Sequence, residues 1–327
     1  YDPATIVAAS GGRFSRQPFA GNVIPRSSLN SMSLKLLEYY PLPNTTGTPD
    51  GRQNWEGAWP AWMHMNQQII RLDQVLGDNH HFFASLTLNT QNQEQNDIFH
   101  NKGSGNHYYP WAHRGLALDD AITLRPDLVL NLRYGLSRFK QITTPTSFGL
   151  VDLASLGLSP ALVRQLDPTR VALPYTTVDQ YETLGGALNS RTGELSHLFL
   201  GNLTYIRGQH SLRFGGELRL IQDNSNEYNT SYAPVYNFNP AWTRGPLDTS
   251  PVAPIGQGLA SLLLGLPSGG YIDRLAGRSA RAKFFAGFVQ DDWKVTRKLT
   301  LNLGLRYEFE APVVELYNRA NRAFDYS

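Results

Sequence analysis

Cysteine is absent from the 327 residues of this chain. Without it, a disulfide framework, a thiolate metal site and a cysteine nucleophile are all excluded. Charge is scarce as well, because charged residues make up 17% of the sequence, where soluble domains have about 25%. The longest apolar run, LASLLLGLP at 259–267, is less than half of the ~20 residues that a membrane-spanning helix needs. Disulfide-rich modules, helical bundles and helical membrane proteins are therefore disfavoured.

The net charge is +2 at pH 7, and no block of basic residues could follow a phosphate backbone. We therefore expect no nucleic-acid partner. What remains is a composition with 11% aromatic residues and abundant Asn, Gly, Thr and Gln. Aromatic residues and turn formers with little charge are typical of strands joined by polar loops.

The segment LTLNLGLRYEFE at 299–310 alternates strictly between apolar and polar residues. Successive side chains of a strand point to opposite faces, so this segment predicts a strand with one apolar and one polar face. In a soluble sheet the apolar face would meet a protein core. In an outer-membrane barrel it would meet lipid, and the polar face would meet a water-filled lumen.

Four pairs of alternating segments follow one another, each joined by a short turn. The turns are GDNH at 77–80, RPD at 125–127, RGQH at 207–210 and TRK at 296–298. Such pairs predict antiparallel hairpins. The links between pairs, at 89–111, 142–190 and 223–278, are long and rich in polar and turn-forming residues. Short turns at one end and long loops at the other are typical of bacterial outer-membrane barrels. This arrangement therefore favours an apolar face that contacts lipid over one that contacts a protein core.

The predicted fold is all-β: a partial antiparallel transmembrane β-barrel of about eight strands with long extracellular loops. We assign residues 1–66 to an extracellular loop region with a short helix, and 67–327 to the barrel with short periplasmic turns. Short helices are predicted at 27–41 and 159–168, from Ser caps and proline positions, and at 258–267. In KFFAGFVQDDWKV at 283–295, bulky residues occupy both phases of the strand, and the sequence does not assign its faces.

The segment FFAGFVQDDWKVTRKLTLNLGLRYEFEAPVVE at 284–315 resembles a barrel hairpin of TonB-dependent outer-membrane receptors. Three further segments are similar to the Oar-like branch, whose members carry a carboxypeptidase-regulatory-like domain: PFAGNVIPRSSLNSMSLKLLEYYPLPN at 18–44, QIIRLDQVLGDNHHFFASLTL at 68–88 and HSLRFGGELRL at 210–220.

The resemblance implies a barrel of about 22 strands, filled by an N-terminal plug and energised by the TonB system. This chain would then be an internal fragment, lacking the signal peptide, the plug and the final strand. The partners implied are outer-membrane lipid, the plug of the same polypeptide, the TonB system and an unknown nutrient ligand.

We predict no catalytic residue, no metal site and no cofactor. Adjacent side chains on a strand point apart, so neither Asp119–Asp120 nor Asp291–Asp292 can flank one scissile bond as glycosidase carboxylates do. The histidines lack a recognisable ligand spacing: His80 and His81 lie in a predicted turn, and His100, His107 and His113 lie in or beside an Asn-rich loop.

Aromatic residues of the loops are the ligand-binding candidates, because rings flanked by amides suit stacking on sugar faces or holding peptide groups. They are Trp55, Trp59, Tyr108, Tyr109, Trp111, Tyr232, Tyr236 and Trp242. The alternative is that these rings pack the loops together or form the interfacial girdle. A second group is predicted to face the lumen and to pair internally or with the plug: Arg133, Arg213, Glu217, Arg219, Arg306 and Glu308.

The leading hypothesis is a fragment of a TonB-dependent receptor that takes up a bulky nutrient, an oligosaccharide or peptide in preference to an iron chelate. A second hypothesis is a non-transporting outer-membrane protein whose loops adhere to other cells. A third is a secreted glycan-binding β module, which would require the apolar face of 299–309 to be covered by protein.

Single cysteines distinguish a lipid-facing strand from a protein-covered one, because the chain has no cysteine of its own. We expect cysteines at Leu301, Leu303 and Leu305 to react with a lipid-dissolved probe, and cysteines at Asn302, Gly304 and Arg306 with an aqueous maleimide. The measurement is made on the whole protein in Gram-negative cells. Protection of both sets would contradict the barrel and favour the soluble module.

Overall fold

The computed structural model describes residues 1–94, 97–105, 107–166, 168, 171–186, 190–226, 233–272 and 277–319. The strands are β1 Val7–Ala9, β2 Arg13–Ser15, β3 Trp62–Leu76, β4 His80–Glu94, β5 His107–Tyr108, β6 Trp111–Arg125, β7 Leu128–Pro145, β8 Tyr175–Val178, β9 Ser190–Arg207, β10 His210–Asn226, β11 Val235–Phe238, β12 Gly269–Tyr271, β13 Arg278–Thr296, β14 Leu299–Glu310 and β15 Val314–Glu315. The α-helices are α1 Ser31–Leu37, α2 Leu153–Leu156, α3 Pro160–Val163 and α4 Gln257–Leu263.

Eight long strands form one antiparallel sheet in the order β3-β4-β6-β7-β9-β10-β13-β14. Each strand pairs with its neighbour in sequence, so the sheet is a chain of hairpins. The sheet does not close, since β3 and β14 each pair with a long strand on one side only. This arrangement confirms the all-β, partial-barrel fold and the four predicted hairpins.

The hairpin turns carry the residues that their backbone geometry requires. Gly208 adopts φ +61° between β9 and β10, and Gly77 adopts φ +62° between β3 and β4. This left-handed region is reached by glycine at little cost, and tight hairpin turns need it. The predicted turn residues His80 and His210 are instead the first residues of β4 and β10.

The pairing register assigns the two faces of the sheet, because directly opposed residues share a face. Leu218 lies opposite both Phe199 and Phe285, and Phe285 lies opposite Phe309. We call the face that carries these residues the outer face and the opposite one the inner face. Among the described residues, the outer-face side chain of Leu305 is 72% exposed, so no protein core covers it there.

The register also resolves the strand whose faces the sequence left unassigned. Phe285, Val289 and Trp293 align with outer-face residues of β10, whereas Phe284 and Phe288 point inward. Phe288 lies over Gly215, where a Cβ would collide with its ring. The guanidinium of Arg219 sits 5.1 Å from the ring centre of Phe284. Glycine and cation–π contacts therefore accommodate the inward phenylalanines.

A hydrophobic core lies in the loops rather than on the sheet. Helix α1 supplies Leu36, α2 supplies Leu153 and Leu156, and α4 supplies Leu262, all of them buried. The other buried members are Phe99, Leu158, Leu173, Val178, Leu184, Ala233 and Phe238. The long loops thus fold together into one packed unit, which we call the loop layer.

The loop helices agree partly with the sequence prediction. Ser159 caps α3, accepting a hydrogen bond from the Leu162 amide at 3.2 Å, and Pro160 begins that helix as predicted. Helix α1 occupies the middle of 27–41, but its cap is Asn30 rather than a serine. Among the described residues, no helix is long and apolar enough to cross a bilayer.

Two element positions differ from the sequence prediction. Helix α2, which was not predicted, is a single turn capped by Asp152 and ended by Gly157 at φ +108°. Strand β3 begins at Trp62, five residues before the predicted start of the barrel region. The residues WMHM at 62–65 are bulky in both phases, which hides the alternation there.

Replacing Leu262 by Ala tests whether the loop layer is held by its own core. Leu262 is fully buried, and removing a buried leucine side chain costs about 2–5 kcal/mol. We expect the loops of Leu262→Ala to be cleaved faster by protease while the strands stay protected. Leu150→Ala is the matched control, because Leu150 is exposed in the same loop layer. Equal protease resistance of both variants would show that the loops do not depend on this core.

Candidate functional site

The six residues predicted to line a lumen share the inner face of the sheet. In one row across the strands, Arg133 lies opposite Leu200, Leu200 opposite Glu217, Glu217 opposite Ala286 and Ala286 opposite Glu308. Arg219 and Arg306 lie in the adjacent rows of the same face, and Arg213 lies one row beyond Arg306. The inner face therefore carries the six predicted lumen-facing charges together.

These charges pair with one another. The carboxylate of Glu217 accepts from Arg219 and lies 3.4 Å from Nη2 of Arg306, whose Nε donates to Glu308 at 2.6 Å. Arg133 Nε donates to Asp119 at 2.6 Å. Networks of this kind fix side-chain direction more than they stabilise, because their arginines are half exposed.

The paired aspartates divide between the two faces. Asp119 belongs to the inner network, while Asp120 on the outer face lies 2.9 Å from Nδ1 of His80. The same arrangement recurs at the other pair, where Asp291 lies 2.7 Å from Nδ1 of His210. Each contact links the first residue of a hairpin's second strand to the next hairpin. The geometry assigns these aspartates to the architecture at the short-turn end.

The predicted loop aromatics do not converge on one place. Trp59 packs edge-on against His100 with 4.7 Å between ring centres, and Tyr236 packs on Phe238 within the loop core. Trp242 donates from Nε1 to the Pro267 carbonyl at 3.0 Å. Tyr232 lies outside the described residues.

Three further candidates lie where the loops meet the strand ends. Trp111 is the first residue of β6, and its ring centre lies 6.0 Å from that of Phe139. The ring centres of Tyr108 and Trp62 lie 6.4 Å apart. The ring centre of Tyr109 lies 5.8 Å from that of His107, whose side chain is buried. These aromatics therefore lie where the loops contact the strand ends.

Trp55 alone among the predicted aromatics lines a large cleft in the loop layer. The cleft has a volume of about 1040 Å³. Its wall contains a cluster of four rings, in which Trp55 packs edge-on against Phe99 at 5.2 Å, and Tyr40 against Phe99 at 5.9 Å and Tyr181 at 6.2 Å. Sequence reasoning missed Tyr40, Phe99 and Tyr181, because they come from three different loops.

Polar groups surround the ring cluster. Amide side chains of Gln53, Asn54 and Gln180 line the cleft. Burial raises the pKa of Tyr40 and of Tyr181, so both hydroxyls are neutral at physiological pH and available for hydrogen bonding. The hydroxyl of Tyr40 donates to the Glu182 carbonyl at 2.6 Å.

The segment that carries Trp55 is braced by its own side chains. Asn44 donates to the Glu56 carbonyl at 2.7 Å and accepts from the Glu56 amide at 2.8 Å. Arg52 Nε and the Thr48 hydroxyl both donate hydrogen bonds to the carboxylate of Asp50. These two hydrogen bonds lower the pKa of Asp50 to about 2. The segment therefore holds Trp55 in a fixed position at the cleft.

A cleft with aromatic planes and neutral hydrogen-bonding groups suits an extended polar ligand with apolar faces. Sugars and peptides both have this character. The cleft opens in the loop layer and not on the outer face, so a ligand there would reach it from water.

Together, the hairpin sheet, its uncovered apolar face and its charged inner face define a β-barrel protein of the outer membrane. The chain belongs to the outer membrane beta barrel domain family, whose family model matches residues 1–327. The protein is located in the outer membrane. The search of curated proteins gave no match.

Two solved structures from Escherichia coli match part of this chain. The outer membrane transporter YddB is 12% identical, with a TM-score of 0.47, and the match covers 75% of this chain and 27% of YddB. The ferric-catecholate import receptor Fiu, from strain K12, is 12% identical, with a TM-score of 0.40, and the match covers 80% of this chain and 35% of Fiu. The chain thus spans about a third of each matched protein or less.

Acidification tests the packing of loops onto strand ends. Burial lowers the pKa of His107 to about 4, against about 6.5 in an unfolded chain. The unfolded chain takes up a proton first, so this residue's contribution to stability is lost as the pH falls from about 6.5 to about 4. We expect His107→Asn to show a weaker acid-induced loss of loop protection than the parent protein, measured by limited proteolysis. If the loops of His107→Asn and of the parent protein lose protease protection over the same pH range, His107 does not have this role.

Proposed function

We propose that this chain is part of the barrel of a TonB-dependent outer-membrane receptor of the Oar-like branch, which takes up a bulky nutrient with energy from the TonB system. The observation that carries the proposal is the cleft of about 1040 Å³ in the loop layer. Its volume is at the upper end of small-molecule sites and suits a segment of oligosaccharide or peptide.

The proposed orientation places the loops, including residues 1–61, outside the cell and the short turns in the periplasm, with the barrel beginning at β3. The inner face then lines the lumen. Arg133, Arg213 and Arg219 are half exposed there, so their free donors are available to a plug from the same polypeptide. The TonB system would act through that plug.

The charge of the cleft favours a sugar or peptide over an iron chelate. Arg52 is the single cation among its described lining residues, and its guanidinium is neutralised by Asp50. Glu56 and Glu182 also line the cleft. An anionic ferric complex would meet net negative charge, whereas neutral hydroxyl and amide groups would bind.

Variants of the cleft test the proposal by binding and uptake of fluorescent oligosaccharides and peptides in Gram-negative cells. We expect Trp55→Ala and Tyr181→Ala each to weaken binding by about fivefold, since losing an aromatic contact costs roughly 1 kcal/mol. Trp242→Ala is the control, because Trp242 is an exposed loop aromatic that does not line the cleft.

Uptake separates transport from adhesion. Removing TonB is expected to abolish uptake and to leave surface binding unchanged. Binding without any TonB-dependent uptake would support the adhesion hypothesis instead. Full binding by both cleft variants would overturn the cleft as the site.

A further inference from the structure

The cleft in the loop layer carries two carboxylates without a cationic partner. Three of its described lining residues are charged: Arg52, Glu56 and Glu182. The guanidinium of Arg52 is held by Asp50, with Nη2 at 2.6 Å from Oδ2. Glu56 and Glu182 are exposed, and neither forms a salt bridge with another described residue. Within the described chain, the cleft therefore has two unpaired negative charges.

Each of these carboxylates directly follows a ring of the cluster in the sequence. Glu56 follows Trp55, and Glu182 follows Tyr181. Glu182 also lies near Tyr40, since burial and, after it, the charge of Glu182 raise the pKa of Tyr40. The backbone carbonyl of Glu182 accepts a hydrogen bond from the Tyr40 hydroxyl. Negative charge is therefore brought to the ring cluster by two separate loops.

The rings of the cluster form inclined walls rather than a parallel stack. The planes of Trp55 and Phe99 are inclined by 84°, and those of Tyr40 and Tyr181 by 69°. A Cβ at Gly57 would collide with the ring of Trp55, so the lack of a side chain at 57 lets that ring lie against the backbone. Inclined rings present their faces in several directions, and an aromatic face attracts a cation.

Aliphatic side chains make up another part of the cleft wall. They are Leu37, Leu42, Ile98, Ile255 and Leu259. A lysine or arginine side chain buries its apolar stem against such a surface while its charged end meets polar groups. The amino group of a sugar is attached to the ring and has no apolar stem. The lining therefore favours a basic side chain of a peptide over an amino sugar.

We propose that the cleft selects peptides that contain lysine or arginine, and that the ring cluster and the carboxylates of Glu56 and Glu182 together bind the cationic side chain. Arginine is the better ligand of the two, because its planar guanidinium stacks on aromatic rings and pairs with a carboxylate through two hydrogen bonds. This inference rests on the proposed function, since it takes the cleft as the binding site, and it names the class of ligand that the cleft prefers.

The test measures the affinity of the whole polypeptide, purified from outer membranes, for a short fluorescent peptide with one central arginine. The matched peptide has citrulline at that position, which keeps the shape of the side chain and removes its charge. The rings and the two carboxylates each contribute roughly threefold, so the arginine peptide is expected to bind about thirtyfold more tightly. Equal affinity for the two peptides, or no binding of the arginine peptide, would overturn the proposal.

Glutamine variants assign the preference to the two carboxylates. Glu56→Gln and Glu182→Gln are each expected to reduce the preference for arginine about threefold. Both are expected to bind the citrulline peptide as the parent protein does, which excludes misfolding as the cause. Glu38→Gln is the matched control, because Glu38 is exposed in the same loop layer and does not line the cleft. An unchanged preference in both cleft variants, or an equal loss in Glu38→Gln, would contradict the assignment.

Further outcomes separate this inference from the proposed function and from the alternative ligand. If both peptides are taken up equally and only in the presence of TonB, the receptor proposal stands and the inference is wrong. If arginine is preferred but no TonB-dependent uptake occurs, the inference stands and the receptor proposal fails. If an oligosaccharide of glucosamine binds more tightly than the arginine peptide, the ligand is an amino sugar and the peptide assignment is wrong.

Discussion

The structure depends on one constraint: a backbone that crosses hydrocarbon must satisfy its own hydrogen bonds. Eight long strands meet this constraint by pairing with their sequence neighbours over up to seventeen opposed positions, as in β9 and β10. Continuous pairing also fixes the register, and the register fixes which face every side chain takes. Only β3 and β14 leave an edge in the described sheet, and lipid does not tolerate such an edge unpaired.

The apolar outer face of the sheet contacts lipid and not a protein core. Most of the buried apolar side chains of this protein are therefore found in the loops, whereas in a soluble β protein they lie on the sheet. The sheet exposes leucines such as Leu305 and buries few of its side chains, whereas the loops contain Leu36, Leu173 and Leu262 at 1% exposure or less. A packed loop layer is what allows rings from three loops to stand together. The cleft is therefore a consequence of the loop core rather than of the barrel.

The sequence predicted the strands because a period of two is a local signal. It predicted the faces of β14 for the same reason, but not those of β13, where Phe284 and Phe285 are adjacent and only cross-strand neighbours such as Gly215 and Arg219 decide between them. The cleft could not be predicted from the sequence, for a different reason. Trp55, Phe99 and Tyr181 are far apart in sequence, and no local pattern encodes a meeting of three loops.

Side chains alternate between the two faces of each strand, so one strand places different residues in contact with lipid on the outer face and with the charged network on the inner face. In β10, Glu217 and Arg219 belong to the inner network, while Leu218 between them meets lipid. Near the loop end the same separation places Asp223 inside, against Arg278, and leaves the outer face of β7 and β9 to Arg138 and Arg191. Charges of opposite sign that would pair across a soluble sheet surface are held apart by the backbone. One strand therefore carries charges of opposite sign on opposite faces without a contact between them.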